Sequence, residues 1–137
     1  MAGLMDRLRP GERGQTLVEA ALVLPVLLLL LAGVVDLGRG YQHYIVIADA
    51  ARAGARYGSR LPNDQSGIVA AVREQAMEGG LPAESVSVSV EGLGAPTGQP
   101  IQVTATYTFS TILGGVLGPP TLTVSSSTQM VVFGLDG

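Results

Sequence analysis

The sequence predicts an α+β fold: a long N-terminal helix, apolar at first and amphipathic beyond, then a short second helix and a small three-stranded antiparallel sheet. Three observations carry this. Residues 20–35 form an uncharged apolar run; apolar residues then recur at helical spacing to about residue 57; and from Ser85 the hydrophobic period changes to two.

The first helix starts from the apolar run. Its sixteen uncharged residues become twenty-one when extended back to Gln15, just enough for a spanning helix of roughly twenty residues. Glu19 is the single charge inside that extended segment. A charge at the centre of a span costs about 2.5–3.5 kcal/mol on insertion scales, and less near an edge. At about 1.5 Å per residue, Glu19 lies within about 8 Å of the segment's start, where a carboxylate can snorkel to the headgroups. Pro25 leaves the carbonyl of Ala21 without its helical donor, so a kink is expected there. Ahead of the run, "MAGLMDRLRPGERG" carries Arg7, Arg9 and Arg13; Arg39 and Arg52 follow it, and charge bias alone does not fix orientation. A secretory signal would need a shorter apolar core and a small-residue cleavage site, of which "LLLAGVVD" offers a poor version at Ala32 and Gly33.

Past Val35, residues Leu37, Tyr41, Tyr44, Ala48, Ala51 and Ala55 follow at spacings of 4, 3, 4, 3 and 4, which predicts one narrow apolar face. Asp49, Arg52, Arg56 and Arg60 fall on another face. Gly33, Gly38 and Gly40 mark a place for a bend or break, and Gly54 with Gly58 forms a G-x-x-x-G, weak evidence for dimerisation outside a membrane.

"LPNDQSGIVAAVREQAMEGG" reads as the second helix, with Asn63, Asp64 and Ser66 as candidate caps, Gly79 as the stop and Pro82 beyond. Ile68, Val69, Val72 and Ala76 share its inner face. "SVSVSVE", "IQVTATYTFS" and "TLTVSSSTQMVVF" read as strands, the third more polar in its middle. The connections "GLGAPTGQP" and "GGVLGPP" are loops. One apolar face per strand implies a sheet laid over the helix pair.

Composition narrows function. The 137 residues suffice for one small domain; a net charge of -3 with few aromatics provides no nucleic-acid surface. The absence of cysteine removes thiol chemistry and disulfides, and a single histidine removes multi-histidine metal sites. His43 could neighbour Asp36 and Arg39, a surface ion cluster at best. Ser125, Ser126 and Ser127 have no evident base, and Glu74 with Glu78 is a solvated face. The glycines of "GLGAPTG" do not lie between a strand and a helix, as a phosphate cradle requires. No catalytic residue, metal site or cofactor is expected.

Gly14 to Glu19, "GQTLVE", resembles the processing site of type IV pilins: a charged leader ending in glycine, an apolar helix, and a glutamate fifth after the cut. From Arg13 to about Ser59 the chain more closely resembles the TadE-like family of tight-adherence pilus systems, on "VE…ALVLP", then "DLGR" (Asp36, Gly38, Arg39), then "AARAGARYG" (Ala51, Arg52, Gly54, Ala55, Arg56). The resemblance implies a pilin-like fold divided into a cytoplasmic leader (1–14), a transmembrane helix (15–35) and an extracytoplasmic α+β domain (36–137). It implies cleavage between Gly14 and Gln15 by a prepilin-type peptidase, with Glu19 compensating the new amino terminus as helices pack, since an opposed pair is tolerable in an apolar core and a lone charge is not. Pro25 becomes, by the same analogy, a point where the packed helix can stretch. The implied partners are other pilin or pseudopilin subunits, the assembly platform and membrane lipid, at the bacterial inner membrane. An uncleaved single-pass protein binding an envelope partner, and a soluble protein secreted after signal removal, stay open as alternatives.

Overall fold

The computed structural model describes residues 10–134; most of the expected leader lies outside the described residues. Helix α1, Pro10–Arg60, is followed by helix α2, Gln65–Glu78, and a 3-10 turn, Ala83–Ser85. Strand β1, Val86–Glu91, strand β2, Pro100–Ser110, the short helical turn α3, Gly114–Leu117, and strand β3, Thr121–Val131, complete the chain. The three strands form an antiparallel meander in the order β1-β2-β3. The expected α+β architecture is therefore present.

Helix α1 is 51 residues long, about 76 Å at 1.5 Å per residue. It starts at Pro10, where a missing N–H costs nothing, and runs through Gly14 and Pro25 without interruption. Glu12 in its first turn and Arg60 in its last complement the helix dipole. The apolar first half is uncovered, and the second half is clad by α2 and the sheet. Helix α2 is capped by Asp64, whose carboxylate accepts the Gly67 amide at 3.0 Å, and ends at Gly79. Its Ile68, Val72 and Ala76 are buried as expected.

The core lies between α1, α2 and the sheet, and joins Ile47, Ala50, Ala51, Ala55, Ile68 and Val72 to Val86, Ile101, Val103, Ala105 and Val132. The register sets Val86 against Tyr107, Val90 against Val103, and Val103 against Thr128 on the inner face. The outer face carries a hydroxyl ladder: Thr104 to Ser127 at 2.6 Å, Thr106 to Ser125 at 3.1 Å, and Thr108 to Thr123 at 2.9 Å.

Three glycines show how helix and strand lie together. A Cβ built on Gly40 would lie 3.5 Å from Phe109, one on Gly54 3.0 Å from Val103, and one on Gly58 2.9 Å from Ile101. From Gly40 to Gly58 the helix rises about 27 Å, and from Phe109 to Ile101 an antiparallel strand also advances about 27 Å. Strand β2 thus runs antiparallel to α1 and nearly along its axis for this whole stretch.

That geometry corrects three expectations. The buried face of α1 is Asp36, Gly40, Ile47, Ala50, Gly54 and Gly58 with half-buried His43, one residue and so about 100° around from the predicted stripe. Ala51 and Ala55 of the predicted stripe are buried, but Leu37 and Tyr41 are 75% and 67% exposed. Small residues face the sheet because a strand lying along a helix needs close approach, which tyrosines would block. The glycines at 33, 38 and 40 do not break the helix; Gly33 and Gly40 are covered by Leu113 and by Phe109 with Leu122. Gly54 and Gly58 face α2 and β2 inside the chain, so this G-x-x-x-G packs intramolecularly and leaves no surface for a dimer.

Candidate functional site

Two regions of α1 hold the residues singled out by the sequence. The first is the bare N-terminal half. Gly14, Gln15, Glu19 and Pro25 are all exposed, and no side chain stands within 4 Å of a Cβ built on Gly14. Among the described residues Glu19 has no hydrogen-bond or ion-pair partner. It is a lone carboxylate on a helix whose other surface residues from Gln15 to Val35 are uncharged. One helix among the described residues is long and apolar enough to cross a membrane, and none of its most apolar window is buried by the rest of the chain.

The second region is the end of the apolar run, where the "DLGR" residues fasten the sheet to α1. Asp36 is only 7% exposed, and its carboxylate accepts the backbone amides of Ile112 at 2.9 Å and Leu113 at 2.7 Å. Arg39 donates to the Ser110 carbonyl at 3.3 Å, approaches Asp36 at 3.7 Å and lies over the Phe109 ring at 5.6 Å. The Leu113 amide, then the Ile112 amide, and more weakly Arg39 hold the Asp36 carboxyl below the usual carboxylate range, against the opposing effect of burial. His43, one turn on, packs edge-on against Tyr107 and Phe109 with ring centroids 5.2 and 4.6 Å away. Burial, and secondarily Arg39, push its pKa down. The expected ion cluster of Asp36, Arg39 and His43 is therefore a clasp: two residues bind the β2–β3 connection, while the imidazole serves as an aromatic spacer. Gly38, between them in sequence, is exposed with nothing near it.

The remaining motif residues divide by face. Ala51, Gly54 and Ala55 are buried against α2 and β2, whereas Arg52 and Arg56 are exposed, Arg52 bonding Asp49 at 3.0 Å. At the far end Tyr57 donates to Asp64 at 2.6 Å, tying α1 to the cap of α2. That bond, with the Gly67 amide and Ser66, lowers the Asp64 pKa. A cleft of about 600 Å³ opens there between Arg60, Asn63, Asp64 and Pro96. Among the described residues no three His, Cys, Asp or Glu side chains converge on a common point.

Sequence reasoning named Asp36 and Arg39 but not their partners, because backbone amides and a carbonyl more than seventy residues away leave no mark in side-chain identity. A signal for the buried stripe did exist: Asp36, Gly40, His43, Ile47, Ala50 and Gly54 repeat at spacings of 4, 3, 4, 3 and 4. It was masked because only Ile47 among them is large and apolar.

Residues 14–56 match the family model described as TadE-like protein, about a third of the chain and the stretch that carries both regions. Comparison with curated proteins and with solved structures yields no match. The family match, together with a long apolar N-terminal helix, supports a membrane protein associated with tight-adherence pili and anchored by a single pass.

Proposed function

We propose that this chain is a minor pilin or pseudopilin whose work is assembly and not catalysis. In this reading a prepilin-type peptidase cuts between Gly14 and Gln15. Residues 15–35 hold the subunit in the bacterial inner membrane, its N-terminus cytoplasmic and the α+β domain outside. The subunit joins other pilins or the assembly platform through α1. The observation that supports this best is the division of α1: one unbroken helix, uncovered and apolar in its first half, clad by its own sheet in the second. A helix that only anchored a domain would not need a carboxylate set inside its apolar surface. Glu19 there suits pairing with the amino terminus freed at Gln15, on the same or a neighbouring subunit. The exposed stripe of Leu37, Tyr41 and Tyr44 continues that surface outward and suits a neighbouring helix. No cofactor and no nucleic acid takes part in this reading.

The test is the intact mass of the protein from native membranes, with peptide mapping of its amino terminus; mass spectrometry also reads a cyclised Gln15. A mature chain beginning at Gln15 supports pilin-type processing. A chain retaining Met1 refutes it and leaves an uncleaved anchor. A chain cut near Ala32 refutes both and leaves a secreted domain.

A further inference from the structure

The β2–β3 connection, residues 111–120, "TILGGVLGPP", has an uncommon set of properties. It lies at the end of the sheet nearest the apolar run, since β2 descends α1 from Ile101 near Gly58 to Phe109 near Gly40. Beyond it, Leu113 reaches Gly33, with its Cδ2 3.6 Å from a Cβ built there. Gly33 is two residues inside the apolar segment, so Leu113 lies about 3 Å below the end of that segment. Val116 and Leu117 are 68% and 66% exposed, and Ile112 is also exposed. No residue from 92 to 135 is charged.

The amide hydrogens of this loop are also paired within the chain. Thr111 N–H donates to the Pro120 carbonyl, and the amides of Ile112 and Leu113 donate to Asp36. Gly114 N–H donates to Thr111 Oγ1, and Gly115 N–H to the Thr111 carbonyl. Val116 and Leu117 donate to the Leu113 carbonyl, and Gly118 to that of Gly114. Residues 119 and 120 are prolines and have no N–H. Every amide hydrogen from 111 to 118 is thus satisfied within the chain. An exposed surface loop in water has no need of this, whereas a loop in an apolar medium does, because an unpaired amide there costs several kcal/mol.

We infer that this loop is a second membrane-contacting element, set into the interface of the leaflet on the domain's side with Ile112, Val116 and Leu117 toward the acyl chains. Its occupant is lipid, because its apolar surface continues that of the spanning segment and it carries no charge for a headgroup or a protein partner to pair with. Insertion to the boundary of headgroups and acyl chains matches the depth at which amphipathic elements lie. The Asp36 clasp then fixes the depth: it ties the loop to α1 at one level, so that domain and span meet the bilayer as one body. The inference rests on α1 being a membrane anchor.

The chain has no cysteine, so single-cysteine variants of the full-length protein can be labelled with an environment-sensitive NBD fluorophore. The variants are Leu117→Cys in the loop, Leu28→Cys in the span and Ser89→Cys on the outer face of β1. Each is reconstituted in phosphatidylethanolamine–phosphatidylglycerol vesicles, with and without phosphatidylcholine brominated in the upper acyl chain. The expected result is at least about a twofold loss of fluorescence at positions 117 and 28 and none at 89. Quenching at 28 without quenching at 117 overturns the loop's insertion and leaves the anchor standing. A blue-shifted but unquenched label at 117 shows protein covering the loop and also overturns it. Quenching at 89 shows the sheet face, not the loop, on lipid. Absence of quenching at 28 refutes the anchor and the inference with it.

Discussion

Gly54 and Gly38 occupy the same helix, yet alanine should stabilise the chain at Gly38 and fail to do so at Gly54. In a helix interior Gly→Ala gains about 1 kcal/mol from backbone entropy alone. At Gly38 nothing stands within 4 Å of the new Cβ, so that gain should appear nearly in full. At Gly54 the Cβ would collide with Val72 Cγ2 and lie 3.0 Å from Val103 Cγ1. Both valines are fully buried and stiff at χ1, so relief requires moving α2 or β2 away from α1. Overpacking of this kind costs about 1–3 kcal/mol, which outweighs the propensity gain or cancels it. Because propensity is common to both variants, their difference isolates the steric cost at about 1–3 kcal/mol. For a domain of about 100 residues that is a gap of about 4–12 °C in Tm. Differential scanning calorimetry of the two full-length variants in mild detergent measures it directly. If Gly54→Ala melts as high as Gly38→Ala, the close three-way contact of α1, α2 and β2 is wrong.

The rotated face of α1 makes its own prediction: Ile47→Ala should cost about 2–4 kcal/mol, while Leu37→Ala, exposed two residues past the apolar run, should stay within about 0.5 kcal/mol in detergent. Equal effects on the urea midpoint would restore the face expected from hydrophobicity. His43, Asp36 and Asp64 all have folded pKa values below their ordinary ones, so the unfolded chain binds more protons in acid. The Tm should be level between pH 6.5 and pH 10.0, fall as His43 titrates below that range, and fall further below pH 3.8 as the carboxylates protonate. It should also fall above pH 10.0, because the bond to Asp64 raises the Tyr57 pKa. His43→Phe should flatten the first decline and leave the second, as read from melting curves across pH. Glu19→Ala should insert in membranes normally yet co-purify with partner pilins at least about tenfold less in a detergent pull-down; undiminished recovery counts against charge pairing.

Periodicity made the element order legible: the apolar run, the caps at Asp64 and Gly79, and the alternating valines of β1 each have a local cause written in adjacent residues. The facing of α1 was not legible in the same way. Hydrophobicity points Tyr41 and Tyr44 inward, but the sheet lies so close along the helix that Gly40, Ala50 and Gly54 must occupy that face. The partners of Asp36 were hidden for a different reason. A carboxylate can be read as needing donors, yet which amides supply them depends on a tertiary register that no short window contains. The hydroxyl ladder was hidden similarly, since the pairing of Thr104 with Ser127 depends on how β2 and β3 align.

The alignment of β2 with α1 also has a mechanical meaning. A pull along the helix axis acts parallel to the interface between Gly40 and Gly58, so the contacts at Phe109, Val103 and Ile101 are loaded together in shear. Opening the same interface from one end would break them one after another. Traction between the uncovered half of α1 and the α+β domain is therefore shared across the whole length of the joint. The first contacts to meet that load are Asp36 and Arg39, which stand where the helix enters the sheet's grip.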